Sequence, residues 1–309
     1  MLVFIARRLL VTIPLMLGIL FVTFFLMQMV PGNPVDRMLG ERGGTPEERA
    51  RLTHELGLDR PWYERFGAYI LDLAHGDPGR TLLSREKIAD EIADRFPNTC
   101  ILAITSLLLA TALGLSTGVL SAVWPGSWVD HACRLISIFG LSTPVFWFGL
   151  MLMLFFALHL RWLPSSSDTP WLALNLILPS ITLGLRPAAF IQRVTRSELL
   201  DILRTDYIRT ARAKGLPEST VILRHALRNA MVPIVTLIGL DLGSLLSGSV
   251  ITERIFNFRG IGLYALEGIQ NRDYSIVMAT VLLTSALFLI ANLVVDVLYA
   301  FLDPRIRHD

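Results

Sequence analysis

Three long stretches of this 309-residue chain carry no charged side chain: Arg8 to Asp36, Arg95 to Asp130 and Arg134 to Arg161. Each is longer than the ~20 apolar residues a helix needs to cross the hydrocarbon core of a bilayer. A fourth such stretch separates Asp273 from Asp296. Two weaker ones, Leu176 to Val194 and Ala230 to Ile251, are interrupted by Arg186 and Asp241. Lipid offers no partner to a backbone N–H or C=O, so spans like these must be helical. The sequence predicts an all-α integral membrane protein with six transmembrane helices. Composition agrees, since 53% hydrophobic and 17% charged residues lie outside the range of ordinary soluble domains.

Basic residues set the expected orientation, because Lys and Arg in short loops mark the cytoplasmic side. Arg7 and Arg8 place the N-terminus inside, and six spans bring Arg305 and Arg307 back inside. The greasy run after Arg8 is too long for a signal peptide and is expected to be a retained first helix. The segment from Arg193 to Arg228, with eight basic residues, is also expected inside. Residues 31–98 form a long outside loop with ten basic and thirteen acidic residues, largely exempt from the rule. Cys100 and Cys133 fall at opposite ends of the second span and start of the third, ~30 Å apart, beyond disulfide reach. They are expected to be packing residues.

The division along the chain is a first helix in 1–30, an extracytoplasmic loop in 31–98, a transport domain in 95–298 and a tail in 299–309. The outside loop has its own helix signals. Thr45 is a capping residue, Pro46 takes the first helical position, Glu47 and Glu48 fill the first turn, and Gly57 stops the helix. Pro61 then opens a second amphipathic helix bearing Trp62, Phe66 and Ile70. Such an element is either a docking surface or a lid over helix ends. Gly114 with Gly118, and Gly239 with Gly243 and Ser247, place small residues at the spacing that lets helices approach closely.

The segment 195–228 is the most informative. Leu199, Leu203, Tyr207 and Ala211 recur four apart, which predicts one apolar stripe of an amphipathic helix. Gly215 occupies the place of a helix-ending glycine, and Pro217 with Glu218 suits the first turn of the next helix. On that helix Leu223 and Leu227 are expected to share one face and Arg224 and Arg228 another. Three uses of this basic helix–glycine–helix are open: contact with anionic lipid, nucleic-acid binding, or a rigid protrusion fitting a groove on a cytoplasmic partner. No fold signature supports nucleic acid. Small Ala211, Ala213 and Gly215 favour the protrusion, since headgroups would not require close backbone approach.

The stretch resembles the cytoplasmic coupling loop (EAA loop) of type I ABC importer permeases, specifically the dipeptide/oligopeptide/nickel family. The matching residues are "DYIRTARAKG" from Asp206 to Gly215, "HALRNA" from His225 to Ala230, and Pro233. Where the general motif has Glu-Ala-Ala, this chain has Arg209, Thr210 and Ala211, as the peptide subfamily does. The resemblance extends over the whole chain. It includes "RRL" at Arg7, "PGNP" at Pro31, "LGLDRP" at Leu56, "HGDPG" at His75, "STPVFWFG" at Ser142, "RDYS" at Arg272 and "NLVVDVLYAFLDPRIR" at Asn292. One departure is Phe258-Arg259-Gly260, where the family has Trp-Pro-Gly.

The resemblance implies a bacterial inner-membrane, multi-pass permease subunit of an ATP-driven importer for di- or oligopeptides. Glutathione or nickel chelates are the alternative cargoes. Implied partners are a second homologous permease, two cytoplasmic ABC ATPases and an extracytoplasmic solute-binding protein, with membrane lipid around them. The ATPases would be engaged by Arg209, Thr210, Ala211, Ala213, Lys214, Gly215, Leu216 and Pro217.

The residues themselves agree on energy. A Walker loop needs Lys followed by Ser or Thr, but Lys87 precedes Ile88 and Lys214 precedes Gly215. No cofactor is therefore expected in this chain, ATP and Mg belonging to the partner ATPases. The six histidines (54, 75, 131, 159, 225 and 308) never reach metal-site spacing, and no GxSxG elbow occurs, so no enzyme is expected. An ion-coupled secondary transporter would show intramembrane ionisable groups. The candidates are few. Asp241 lies about 18 Å along the fifth span from Asn229 and either lines a pathway or hydrogen-bonds between helices. Arg186 either snorkels or lines the same pathway. Asp296 is expected to pair with a basic neighbour at the inner end of the sixth span.

Overall fold

The computed structural model describes residues 2–29, 34–39, 44–165 and 173–302. These are helical almost throughout and contain no strand, only an isolated antiparallel bridge between Arg80 and Lys87. Five helices are long and apolar enough to cross a membrane: α1 (Leu2–Met29), α5 (Ile88–Val123), α8 (Ala173–Ile202), α11 (Leu227–Leu246) and α14 (Tyr274–Leu302). Short helices α2 (Pro34–Leu39), α3 (Pro46–Glu55) and α4 (Trp62–Ala74) follow α1. The helix α5 starts at Ile88, so the boundary expected at 95–98 falls inside it.

The expected third span is not one straight helix. It is α6 (Trp128–Ser142) followed by α7 (Val145–Leu152), which runs on through a π-helical turn, Met153–His159. The two parts meet at 108°. The cause is Pro144, which caps α7 and disfavours the helical region for the residue before it. Thr143 is accordingly extended, at φ −81° and ψ 128°. Counted as one broken span, the pair brings the total to six.

The described residues fall into two compact units. The first is drawn from Met1–Thr99, Ser247–Glu253 and Arg259–Leu289. Here the expected capping at Thr45 is present in full: Glu48 N–H donates to Thr45 Oγ1 at 3.2 Å and Thr45 N–H to Glu48 Oε2 at 2.8 Å. Gly57 ends that helix at φ +62°. The apolar face of α4, with Phe66, Tyr69, Ile70 and Leu73, packs on Leu20 and Phe24 of α1 and on Met278 of α14. The amphipathic pattern of this loop helix is thus used to cover two spans.

The second unit is drawn from Cys100–Leu246, Arg254–Phe258 and Ile290–Asp309. Its centre is α8, which packs on α6, α7 and α11. Gly114 and Gly118 of α5 meet α8 with almost no gap, because a Cβ on Gly118 would lie 2.6 Å from Thr195 Cβ. Gly239 similarly faces Val295. The small-residue spacing therefore marks helix contacts. Cys100 and Cys133 are both free thiols. The side chain of Asp296, and with it the expected pairing, lies outside the described residues, as do Arg305 and Arg307.

Candidate coupling site

The basic segment folds as helix, glycine turn and helix, but with boundaries unlike those the periodicity predicts. The helix α8 stops at Ile202, and α9 (Asp206–Ala213) begins after a short break. This break shifts the stripe. Leu199 and Ala211 are buried as expected, whereas Tyr207 is 42% exposed and Ile208 takes the inward place at 0%. The Tyr207 hydroxyl instead accepts from Asn229 Nδ2 at 2.7 Å.

Beyond the turn, α10 (Glu218–Thr220) leads into a π-helical turn, Val221–Ala226, and then α11. A π turn adds a residue to one helical turn and rotates everything after it. The inward residues are therefore Val221, Ile222, Ala226 and Ala230, and Leu223 is 59% exposed. Leu223 and Leu227, expected on one face, differ in burial: Leu223 is exposed and Leu227 is partly buried against the core.

Ile208 and Ala211 sit in one apolar cluster with Ile191 and Leu199 of α8, Val221 and Ala226 of the π turn, and Ala230 and Ile234 of α11. So Ala211 faces the core of its own chain. Its small size serves the packing of α9, not an outside contact. Arg209, Thr210, Ala213, Lys214, Gly215, Leu216 and Pro217 are all exposed. Gly215 has φ +79°, with open space where a Cβ would point. Its role is conformational, since left-handed backbone is costly for other residues.

Charges divide on the same surface. Arg212 reaches over the turn to Glu218, Nη2 to Oε1 at 2.6 Å and Nε to Oε2 at 3.1 Å. That carboxylate holds the Arg212 guanidinium above its ordinary pKa. Arg209 pairs with Asp206 one turn back. Among the described residues no carboxylate pairs with Lys214, Arg224 or Arg228. These three carry the outward positive charge. The arrangement is a short, stiff basic knob on a buried apolar foot.

Asp241 and Arg186 lie on α11 and α8, two helices that pack together. Arg186 is exposed, its guanidinium 5.8 Å from the Phe190 ring centroid, and among the described residues it forms no ion pair. Asp241 Oδ2 is buried without a hydrogen-bond partner among the described residues.

A functional candidate absent from the sequence reading is Glu253, on α12 (Val250–Ile255). It is fully buried, and Leu263 N–H donates to Oε2 at 2.7 Å. Gly260 and Gly262 make room for it: a Cβ on Gly260 would lie 2.5 Å from Glu253 Cδ. This accounts for the glycine in Phe258-Arg259-Gly260, which caps α13 (Ile261–Asn271). Burial raises the Glu253 carboxyl to about 7. A lone carboxylate in a loop looks solvated in sequence, and only the clustered glycines could have signalled otherwise.

Comparison with known proteins identifies the family. The family described as "Binding-protein-dependent transport system inner membrane component" matches residues 114–308, and its N-terminal counterpart matches residues 1–103. The di/tripeptide transport system permease protein DppB of Pseudomonas aeruginosa is 42% identical, covering 100% of this chain and 99% of that protein. The glutathione transport system permease protein GsiC of Escherichia coli K12 is also 42% identical, covering 100% of both. An inward-facing structure of the MetNI methionine ABC transporter matches with a TM-score of 0.57 at 19% identity. It covers 69% of this chain and 96% of that one. At that identity the match establishes the fold, that of a type I importer permease.

Proposed function

This chain belongs to the binding-protein-dependent transport system inner membrane components, in the dipeptide branch of ABC importer permeases, and we propose that it forms half of a peptide pathway. The other half is a second, homologous permease. Two cytoplasmic ATPases, which bind ATP and Mg, drive the pair, and an extracytoplasmic binding protein delivers cargo. The observation that carries the coupling role is the Gly215 knob on its foot of Ile208 and Ala211. Because that foot is shared with α8 and α11, motion imposed on the knob is transmitted to two spans.

In this reading Arg209, Thr210, Ala213, Lys214, Leu216 and Pro217 face the ATPase groove, with Gly215 shaping the turn and Ala211 anchoring it. Asp241 and Arg186 face the pathway, supported by the unpartnered Asp241 oxygen and the exposed guanidinium within spans. Residues 95–298 act as the transport domain and 31–98 lie outside, with both termini cytoplasmic. Labelling of cysteines placed at Ser219 and Ser84 tests this orientation: Ser219→Cys reacts from the inner side only, and Ser84→Cys from the outer side.

Short peptides are the proposed cargo. Glutathione stands as a second reading, because identity to the glutathione permease equals that to the di/tripeptide one. Uptake by the complex reconstituted with its own binding protein, comparing labelled dipeptides, glutathione and nickel, decides between them. ATP-dependent uptake of dipeptide is the expected result. Uptake of glutathione or nickel alone overturns the cargo and leaves the permease role standing.

A further inference from the structure

Between α6 and α8 lies a cavity of about 400 Å³ whose wall changes character along its length. The two helices run antiparallel, Asp130 meeting Arg196, Ser137 meeting Gln192 and Gly140 meeting Ala189. Arg193 and Arg196 therefore stand level with Arg134 at one end. Ile138 and Leu141 lie one to two turns further along. The cavity is cationic at one end and apolar at the other.

Its charge is not balanced within the protein. Arg196 and Arg134 share Asp130, at 2.8 Å and 3.4 Å. Among the described residues no carboxylate pairs with Arg193. Three guanidiniums against one carboxylate leave an excess of two positive charges. A second feature points the same way. Gln192 is 3% exposed, and the Ser137 hydroxyl donates to its Oε1 at 2.6 Å. Its Nε2 is buried and has no hydrogen-bond partner among the described residues, and Gln192 lines the cavity. A buried amide donor without an acceptor is costly, so an acceptor from outside the chain is the natural complement. Beyond the cavity the apolar end continues into an open face of α6, with Leu135 66% and Ile138 59% exposed.

We propose that this cavity seats the headgroup phosphate of an acidic phospholipid. Arg193 and the Gln192 amide donate to the phosphate oxygens, and one acyl chain runs along Ile138 and Leu141. Basic pockets between transmembrane helices suit acidic headgroups for the same electrostatic reason. A soluble phosphate would satisfy the cationic end but leave the apolar end wet.

The test uses the full-length chain, purified with its partner subunits and placed in phosphatidylcholine nanodiscs containing phosphatidylglycerol. Lipid retained by the protein is counted by native mass spectrometry. Wild type retains phosphatidylglycerol in preference to phosphatidylcholine. Arg193→Gln lowers that preference about fivefold, as expected for one basic group near an anionic headgroup, and Arg193→Lys restores most of it. Arg193 is exposed and among the described residues pairs with no carboxylate, so the fold does not depend on it. Equal retention of the two lipids, or no effect of Arg193→Gln, overturns the proposal. So does displacement of the lipid by glycerol phosphate, which would mark a soluble-phosphate site. Displacement by a dipeptide would assign the cavity to cargo and would overturn it as well.

Discussion

Arg196 on α8 grips both carboxylate oxygens of Asp130 on α6, Nε to Oδ1 at 2.8 Å and Nη2 to Oδ2 at 2.9 Å. Asp130 is fully buried, and the Gly126 N–H, the Ser121 hydroxyl and the more distant Arg134 Nε, at 3.4 Å, surround it. Such a pair is not a large net source of stability, but half of it is a liability. Arg196→Met should destabilise the chain by about 3 kcal/mol, because Asp130 stays buried and charged with only the more distant Arg134 beside it. Adding Asp130→Asn should recover much of that loss. Thermal unfolding of the detergent-solubilised chain measures both, and a double variant no more stable than the single would refute the account.

Gly215 is the sharpest test of the coupling knob. Because open space surrounds it, a side chain there meets no obstacle, and only the backbone objects. Gly215→Val, forced to φ near +79°, should abolish ATP-driven uptake while leaving membrane insertion intact. Gly215→Asn, which tolerates left-handed backbone, should retain most activity. Normal uptake by the Val variant would remove this turn from the coupling mechanism.

Two helix glycines offer a matched comparison. Alanine favours a helix over glycine by roughly 1 kcal/mol. Gly18→Ala, with nothing within 4 Å of its Cβ, should therefore be neutral or stabilising. Gly118→Ala should destabilise by about 1–3 kcal/mol, since the new methyl would lie 2.9 Å from the Gln192 carbonyl oxygen. Melting temperatures of the two variants should move in opposite directions or differ clearly.

Glu253 makes one region sensitive to pH. Its carboxyl rises from an ordinary 4.5 to about 7 on burial. The protonated form is the one the fold prefers. The stability it contributes is fully present below about pH 4.5 and is lost as the pH climbs through about 7. Wild type should therefore melt higher at pH 5 than at pH 8. Glu253→Gln, uncharged at both, should shrink that difference. An unchanged difference in Glu253→Gln would show that another group sets it.

How much of this was legible depended on how local the cause was. Thr45, Pro46 and Gly57 could be read directly, because caps and stops act within a turn or two of themselves. The bend at Pro144 falls inside a stretch with no charged residue from Arg134 to Arg161, and hydropathy takes no account of direction. A period of four assumes unbroken helix and so favours Tyr207 over Ile208, but the helix breaks after Ile202. The π turn at Val221–Ala226 moved Leu223 outward for a related reason, a local change of pitch with no residue-level signature. Glu253 is legible only in three dimensions, where Gly260 and Gly262 close around it.

The missing side chains at Gly114, Gly118 and Gly184 have a mechanical consequence. With a Cβ at Gly184 the Ser106 carbonyl would be 2.9 Å away, and at Gly114 the Ala188 carbonyl 2.8 Å. Over that length α5 and α8 meet backbone to backbone, with no flexible layer between them to shear. They must travel as one plate. With the basic knob seated on the same α8 through Ile208 and Ala211, a change of shape here is displaced to the elbow at Thr143–Pro144.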